Sequence, residues 1–174
     1  MSEKIITIFG TARAKSGDAV YVLAYKLGKL LAEAGFGIAN GGYGGTMSAS
    51  AKGAVEAGGK TIGVTCSGFG RNGANEYISR EIAADSLDER LDTLIKLGDA
   101  YLVLPGGTGT LLEFAKVWEL KNKSFLRKHK PIILVGEFWK PLVDLIVTDD
   151  PESISCIHIV TGPDEARDFL VETV

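Results

Sequence analysis

The chain has 174 residues, 45% of them hydrophobic and 24% charged, with a net charge of −3 and the two signs interspersed. That length and balance predict one soluble domain with a substantial core. The lack of a basic stripe argues against nucleic acid as a partner while leaving a nucleotide open. Two cysteines, Cys66 and Cys156, are too few for a disulfide framework and have no metal-ligand companions. With an opening apolar run too short for a signal peptide and no stretch as long as a membrane span, the expected setting is the reduced cytoplasm. Glycine departs from the ordinary: 22 of 174 residues, roughly twice the usual share of about 7%. The excess lies in runs between apparent strands and helices, where an α/β ligand site needs it.

Lys4 to Phe9 reads as a first buried strand ending at Gly10-Thr11-Ala12-Arg13. A helix over 17–34 follows, with Val20, Leu23, Ala24, Leu27, Leu30 and Leu31 at helical spacing and Gly35 as its stop. Gly10 and Thr11 fall at the carboxyl end of the strand, where open α/β sheets place ligands, and are candidate substrate contacts; Arg13 reads as part of a plain βα loop. Phe36 to Ala39 makes a second strand, and Gly41-Gly42-Tyr43-Gly44-Gly45 a glycine turn before a helix over 47–57. Gly42, Gly45 and Met47 join the candidate contacts. The helix is rich in alanine and serine, so it can lie close against the sheet or another helix. A dinucleotide fingerprint does not fit here, because the glycine spacing is wrong and no acidic residue ends the next strand, Thr61 to Val64. No Gly-Lys-Ser/Thr of a nucleoside-triphosphatase loop is present. Residues 67–75 are the least regular stretch, either a pocket-shaping loop from which Arg71 reaches a phosphate or a surface loop. Tyr77 to Ala83 reads as a short extended segment.

Leu87 to Gly98 is helical, and a wheel at about 100° per residue sets Leu87, Leu91, Leu94, Ile95 and Leu97 on one apolar arc. Arg90 alone among the charges falls inside that arc. An arginine facing the protein needs an anion, because burying an unpaired charge costs several kcal/mol; the alternatives are a structural salt bridge or a side chain lying along the apolar surface. The buried strand Ala100 to Leu104 then leads into Pro105-Gly106-Gly107-Thr108-Gly109-Thr110-Leu111-Leu112-Glu113 and a helix carrying Phe114, Val117 and Trp118. A glycine turn opening a helix exposes backbone N–H groups and the positive end of the helix dipole, which suits phosphate. The same residues also spell a capping box, Thr110 with Glu113, in which the glutamate would be purely structural. An inward arginine before the strand and a carboxylate after its turn can meet over one pocket.

Residues 121–130 form a basic surface stretch with His129 solvated. Pro131 to Val135 is a strand, 139–148 a helix, Ile157 to Val160 the last strand and 163–171 the last helix, with Pro163 in its first turn and Asp164 and Glu165 behind it. Strands alternating with helices predict an α/β fold: a doubly wound parallel sheet, Rossmann-like, with helices on both faces, over 1–174 as a single domain. His129 and His158 make neither a zinc cluster nor a triad, no G-x-S-x-G elbow occurs, and no lysine has a context that would desolvate it for pyridoxal chemistry. No metal or cofactor is expected.

The run from Pro105 to Glu113, preceded by Arg90 and by Asn40-Gly41-Gly42-Tyr43-Gly44-Gly45-Thr46-Met47, resembles the LOG family, once labelled "lysine decarboxylase-like". Members hydrolyse the N-glycosidic bond of cytokinin or adenosine 5′-monophosphates to a free base and ribose 5-phosphate. The resemblance implies that Arg90 and Glu113 are the catalytic pair and that the turn at Gly107, Thr108, Gly109 and Thr110 holds the substrate phosphate, with Gly106 a further substrate contact. It also implies a homodimer or higher homo-oligomer, with the two helices that follow glycine turns as its surface. Plant-type members carry tyrosine at position 108, a second glutamate at 112 and lysine at 91, where this chain has Thr108, Leu112 and Leu91. A related branch of the fold carries molybdenum cofactor without turning it over, so a non-catalytic carrier or sensor is the alternative.

Overall fold

The computed structural model describes residues 3–70, 73–126 and 129–174, in which strands and helices alternate as the hydrophobic runs predict. In chain order the elements are β1 (Ile5–Phe9), α1 (Ala19–Glu33), β2 (Gly37–Asn40), α2 (Thr46–Glu56), β3 (Thr61–Cys66), β4 (Arg80–Ala84) and α3 (Leu87–Leu97). There follow β5 (Ala100–Val103), α4 (Thr108–Asn122), β6 (Ile132–Val135), α5 (Lys140–Val147), β7 (Ile157–Val160) and α6 (Pro163–Thr173). Short 3₁₀ helices at Ser67–Phe69 and Pro151–Cys156 were not expected from the sequence pattern.

The strands form one seven-stranded sheet in the order β4-β3-β2-β1-β5-β6-β7, every pairing parallel. The stretch expected only as a short extended segment before α3 is the edge strand β4, whose register runs Ile62 with Arg80 to Cys66 with Ala84. Its residues are mostly exposed or half-buried, so it lacks the continuous apolar run that marks the central strands. Helix α1 begins two residues after the predicted start, with Asp18 as N-cap.

Alternation along the strands divides the core. Ile6, Ile8, Leu102 and Leu104 pack with α1, α2 and α6 on one face. Phe9, Tyr101, Val103 and Leu134 pack with α3, α4 and α5 on the other. The small-residue helix α2 lies directly on α1: a Cβ added at Gly28 would stand 1.9 Å from the Ser50 carbonyl oxygen, and one at Gly53 would stand 2.1 Å from that of Tyr25. Burying both sheet faces is worth roughly 25 cal/mol per Å² of apolar surface removed from water and makes the strands a rigid platform.

The chain leaves β1 in one direction as far as β4 and returns to place β5 on the other side of β1. The carboxyl ends of β1 and β5 are therefore the switch point of the sheet, where connecting loops diverge and leave a crevice.

Candidate functional site

Three loops meet in that crevice and are tied together by backbone bonds. The Thr11 N–H donates to the Pro105 carbonyl (3.3 Å), and the Thr11 carbonyl accepts from both the N–H (2.9 Å) and the hydroxyl (3.1 Å) of Thr46. Gly45 is the N-cap of α2 at φ 66°, a conformation that favours glycine, and a Cβ there would lie 2.3 Å from the Thr11 carbonyl oxygen. The loops wall a cavity of about 750 Å³. Gly10 and Thr11 face it from the β1 loop and Met47 from the first turn of α2. Gly106 to Thr110 face it from the β5–α4 turn, and Arg90 and Glu113 sit between these walls. Gly42 and Gly45, also expected as contacts, do not line it and serve the loop conformation behind it, both at positive φ.

Arg90 is brought in by α3. Ser86 caps the helix, its hydroxyl accepting from the Glu89 N–H (3.2 Å), while the Glu89 carboxylate accepts from the Asp85 N–H (2.8 Å). This fixes the helical register that turns Arg90 inward with Leu91, Leu94 and Ile95; the arginine is 6% exposed. Its Nε donates to the Val64 carbonyl (2.7 Å), Nη2 to the Gly41 carbonyl (3.2 Å) and Nη1 to Glu113 Oε1 (3.5 Å). The Tyr43 and Phe69 rings stand 5.8 and 5.7 Å from its Cζ, within cation–π range. The Tyr43 hydroxyl is held by the backbone of Cys66, accepting from its N–H at 2.8 Å and donating to its carbonyl at 3.2 Å. A Cβ on Gly41 would come within 1.8 Å of Nη2, so the guanidinium occupies space that only glycine leaves. Leu87, expected on the buried arc, is 40% exposed and opens onto the cavity.

Glu113 comes from α4, and the capping-box reading of its neighbourhood fails. The helix starts at Thr108 with Gly107 as N-cap and no side-chain cap, which puts Thr110 inside the helix, buried against the turn. A Cβ at Gly106 would stand 2.1 Å from the Thr110 hydroxyl, so Thr110 packs under the turn. With no side chain capping it, the first turn keeps its N–H groups and partial positive charge available to a ligand. Glu113 lies beyond this turn, 8% exposed, and burial pushes its pKa up to about 7 while the Arg90 charge and hydrogen bond pull the other way. Beneath the turn, Trp139 Nε1 donates to the Leu104 carbonyl at 2.9 Å and braces the end of β5.

The residues missed in the sequence are Tyr43, Phe69 and Phe138, which line the cavity, and Arg13, read as plain loop, which lines it as well. Tyr43 and Phe69 could have been flagged by their position inside glycine-rich stretches, whereas Phe138 carries no such signal. Arg71 lies outside the described residues. His129 is exposed, and the His158 ring packs tilted against that of Phe169, centroids 4.5 Å apart, away from the cavity lining. Among the described residues no group of three or more histidine, cysteine, aspartate or glutamate side chains could hold a metal ion, and no helix is long and apolar enough to cross a membrane.

A seven-stranded parallel α/β sheet with an uncapped glycine turn at its switch point, and a buried arginine–glutamate pair beside a cavity there, defines a Rossmann-like protein. The chain belongs to the SLOG cluster4 family, whose model matches residues 3–156, and the resemblance to LOG proteins holds. It is 30% identical over 149 residues to a cytokinin riboside 5′-monophosphate phosphoribohydrolase of Rhodococcoides fascians, covering 82% of this chain and 74% of that one. It is 31% identical over 133 residues to an uncharacterized protein of Archaeoglobus fulgidus, covering 76% and 86%. Among solved structures, the molybdenum cofactor binding protein of Rippkaea orientalis superposes with a TM-score of 0.78 at 25% identity, covering 99% and 98% of the two chains.

Proposed function

We propose that the cavity is the active site of a nucleoside 5′-monophosphate phosphoribohydrolase, acting on a nucleotide of the AMP or cytokinin type and serving as one nucleotide-binding domain over 1–174. The observation that carries this reading is the meeting of Arg90 and Glu113, 3.5 Å apart, over one cavity beside the uncapped start of α4.

In this reading the N–H groups from Gly106 to Thr110 hold the 5′-phosphate, and Gly10, Thr11 and Met47 contact the rest of the nucleotide. Arg90 orients the sugar and holds Glu113 in place. The bond between the anomeric carbon and the base nitrogen breaks; its electrons leave with the base, and positive charge develops on the sugar. The Glu113 carboxylate stabilises that charge and takes a proton from the attacking water, whose oxygen bonds to the anomeric carbon while the base ends protonated. A carboxyl titrating near 7 suits this exchange at neutral pH. The protein works in the cytoplasm as a homodimer or higher oligomer; because α2 is largely covered by α1, the exposed side of α4 is the better candidate for that contact.

Purified protein incubated with a panel of nucleoside monophosphates should release free base, detected by chromatography. Glu113→Gln and Arg90→Ala should abolish release, and unchanged release in both variants overturns the assignment. A second reading, a non-catalytic carrier, is favoured by the likeness to the Rippkaea orientalis protein over nearly the full length of both chains and by Leu91 and Leu112. It predicts an unaltered ligand retained through purification, which mass spectrometry would identify.

A further inference from the structure

Four large apolar side chains that line the cavity stand exposed, Leu87, Leu112 and two phenylalanines: Phe69, 42% exposed, and Phe138, 54% exposed. Neither phenylalanine is used by the mechanism above. Large apolar side chains left in water beside a polar cradle are informative, because their burial by a ligand is favourable.

The two rings lie on opposite flanks. Phe138 precedes Trp139, whose indole is bonded to the end of β5, so it stands on the flank of the glycine turn. Phe69 ends the 3₁₀ turn that leaves β3. In the sheet order β3-β2-β1-β5, three strand spacings of about 4.8 Å, about 14 Å in all, separate the Phe69 turn after β3 from the glycine turn after β5 at backbone level. That is a span a nucleotide bridges from phosphate to base. A ligand with its phosphate on the α4 turn and its sugar at Glu113 has Phe138 behind the phosphate and Phe69 ahead of the base.

Phe69 is also held as a platform should be. Its ring rests 6.0 Å from that of Tyr43, which is pinned at its hydroxyl by Cys66, and 5.7 Å from Arg90 Cζ, which the Val64 and Gly41 carbonyls pin in turn. Gly70, in the left-handed region, closes the turn with its N–H on the Ser67 carbonyl at 3.2 Å. One side of the ring is thus backed by rigid groups, and the remainder is open to the cavity.

We infer that Phe69 is the base-stacking residue of the site, packing on the flat heterocycle of the nucleotide; this rests on the nucleotide reading given above. Stacking is tolerant of which base is present and indifferent to a ligand that has none.

The test compares AMP with ribose 5-phosphate, binding to Glu113→Gln protein by calorimetry, with and without Phe69→Ala, Phe69→Trp and Phe138→Ala. Phe69→Ala should weaken AMP by about 10- to 100-fold and leave ribose 5-phosphate unchanged, Phe69→Trp should restore AMP binding, and Phe138→Ala should not reproduce the loss. Equal weakening of both ligands, or no weakening of AMP, overturns the assignment of Phe69. AMP binding with no base released by the unsubstituted enzyme overturns the hydrolase reading alone. Failure of every base-bearing monophosphate to bind overturns both.

Discussion

Replacing Glu113 by glutamine should stabilise the fold by an amount that grows with pH. Burial raises the Glu113 pKa from its ordinary 4.5 to about 7, against the opposing pull of Arg90. A carboxyl whose folded pKa lies above its unfolded one binds its proton more tightly in the native state. Its contribution is intact below about 4.5 and is lost as the pH rises through about 7. The gap between those values, at about 1.4 kcal/mol per pH unit, amounts to about 3 kcal/mol lost by about pH 8. Glutamine keeps the shape and never ionises, so it escapes that loss. In a domain of this size about 3 kcal/mol is roughly 6–12 °C in melting temperature. Thermal unfolding of both proteins from about pH 4 to about pH 8.5 should show a gap that opens between about pH 4.5 and about pH 7 in favour of the variant and stays constant above that. A gap independent of pH, or one that opens the other way, would mean that Arg90 holds the carboxylate ionised more strongly than burial opposes it, and the reasoning fails. The variant that gains stability is the one expected to lose base release, as happens where a site keeps a costly group for its chemistry.

Gly41→Ala would place a Cβ 1.8 Å from Arg90 Nη2 and force the guanidinium aside; base release should fall by about 100-fold in protein shown by circular dichroism to be folded. Gly28→Ala meets backbone, with Ser50 O at 1.9 Å, so α1 and α2 must part. Urea denaturation should report a loss of about 1–3 kcal/mol or more, while activity per folded molecule is retained. Arg90→Met removes the charge and the hydrogen bond that lower the Glu113 pKa, so that value should rise above about 7, read by carbon NMR of the labelled carboxyl; a fall would contradict the pairing.

Much of this was legible in the sequence for a simple reason: periodicity reports which side of an element is dry. The wheel over 87–98 singled out Arg90 because a charge inside an apolar arc is rare, and the alternation of buried runs with amphipathic ones specified the doubly wound sheet. The edge strand β4 was faint because an edge is only half covered and carries no long apolar run. The spacing of Thr110 and Glu113 misled in one reading because a capping box depends on where the helix starts, and local sequence does not distinguish an N-cap from a residue inside the first turn. The partners of the arginine were invisible for another reason. Two of its three acceptors are backbone carbonyls, at Val64 and Gly41, which leave no side-chain signature.

Those two carbonyls shape the chemistry of the pair. An arginine satisfied by one carboxylate through both arms of its fork would hold that carboxylate ionised and low in pKa. Here Nε and Nη2 are committed to the ends of β3 and β2, and only Nη1 reaches Glu113, at 3.5 Å. The guanidinium is fixed by the sheet, and among the described residues the buried carboxylate is held by one long contact, to Arg90. Burial therefore wins over charge, and Glu113 remains near its titration point at neutral pH. An ion pair built for stability would close that contact. One that leaves the acid poised suits a group that must give and take a proton in each turnover.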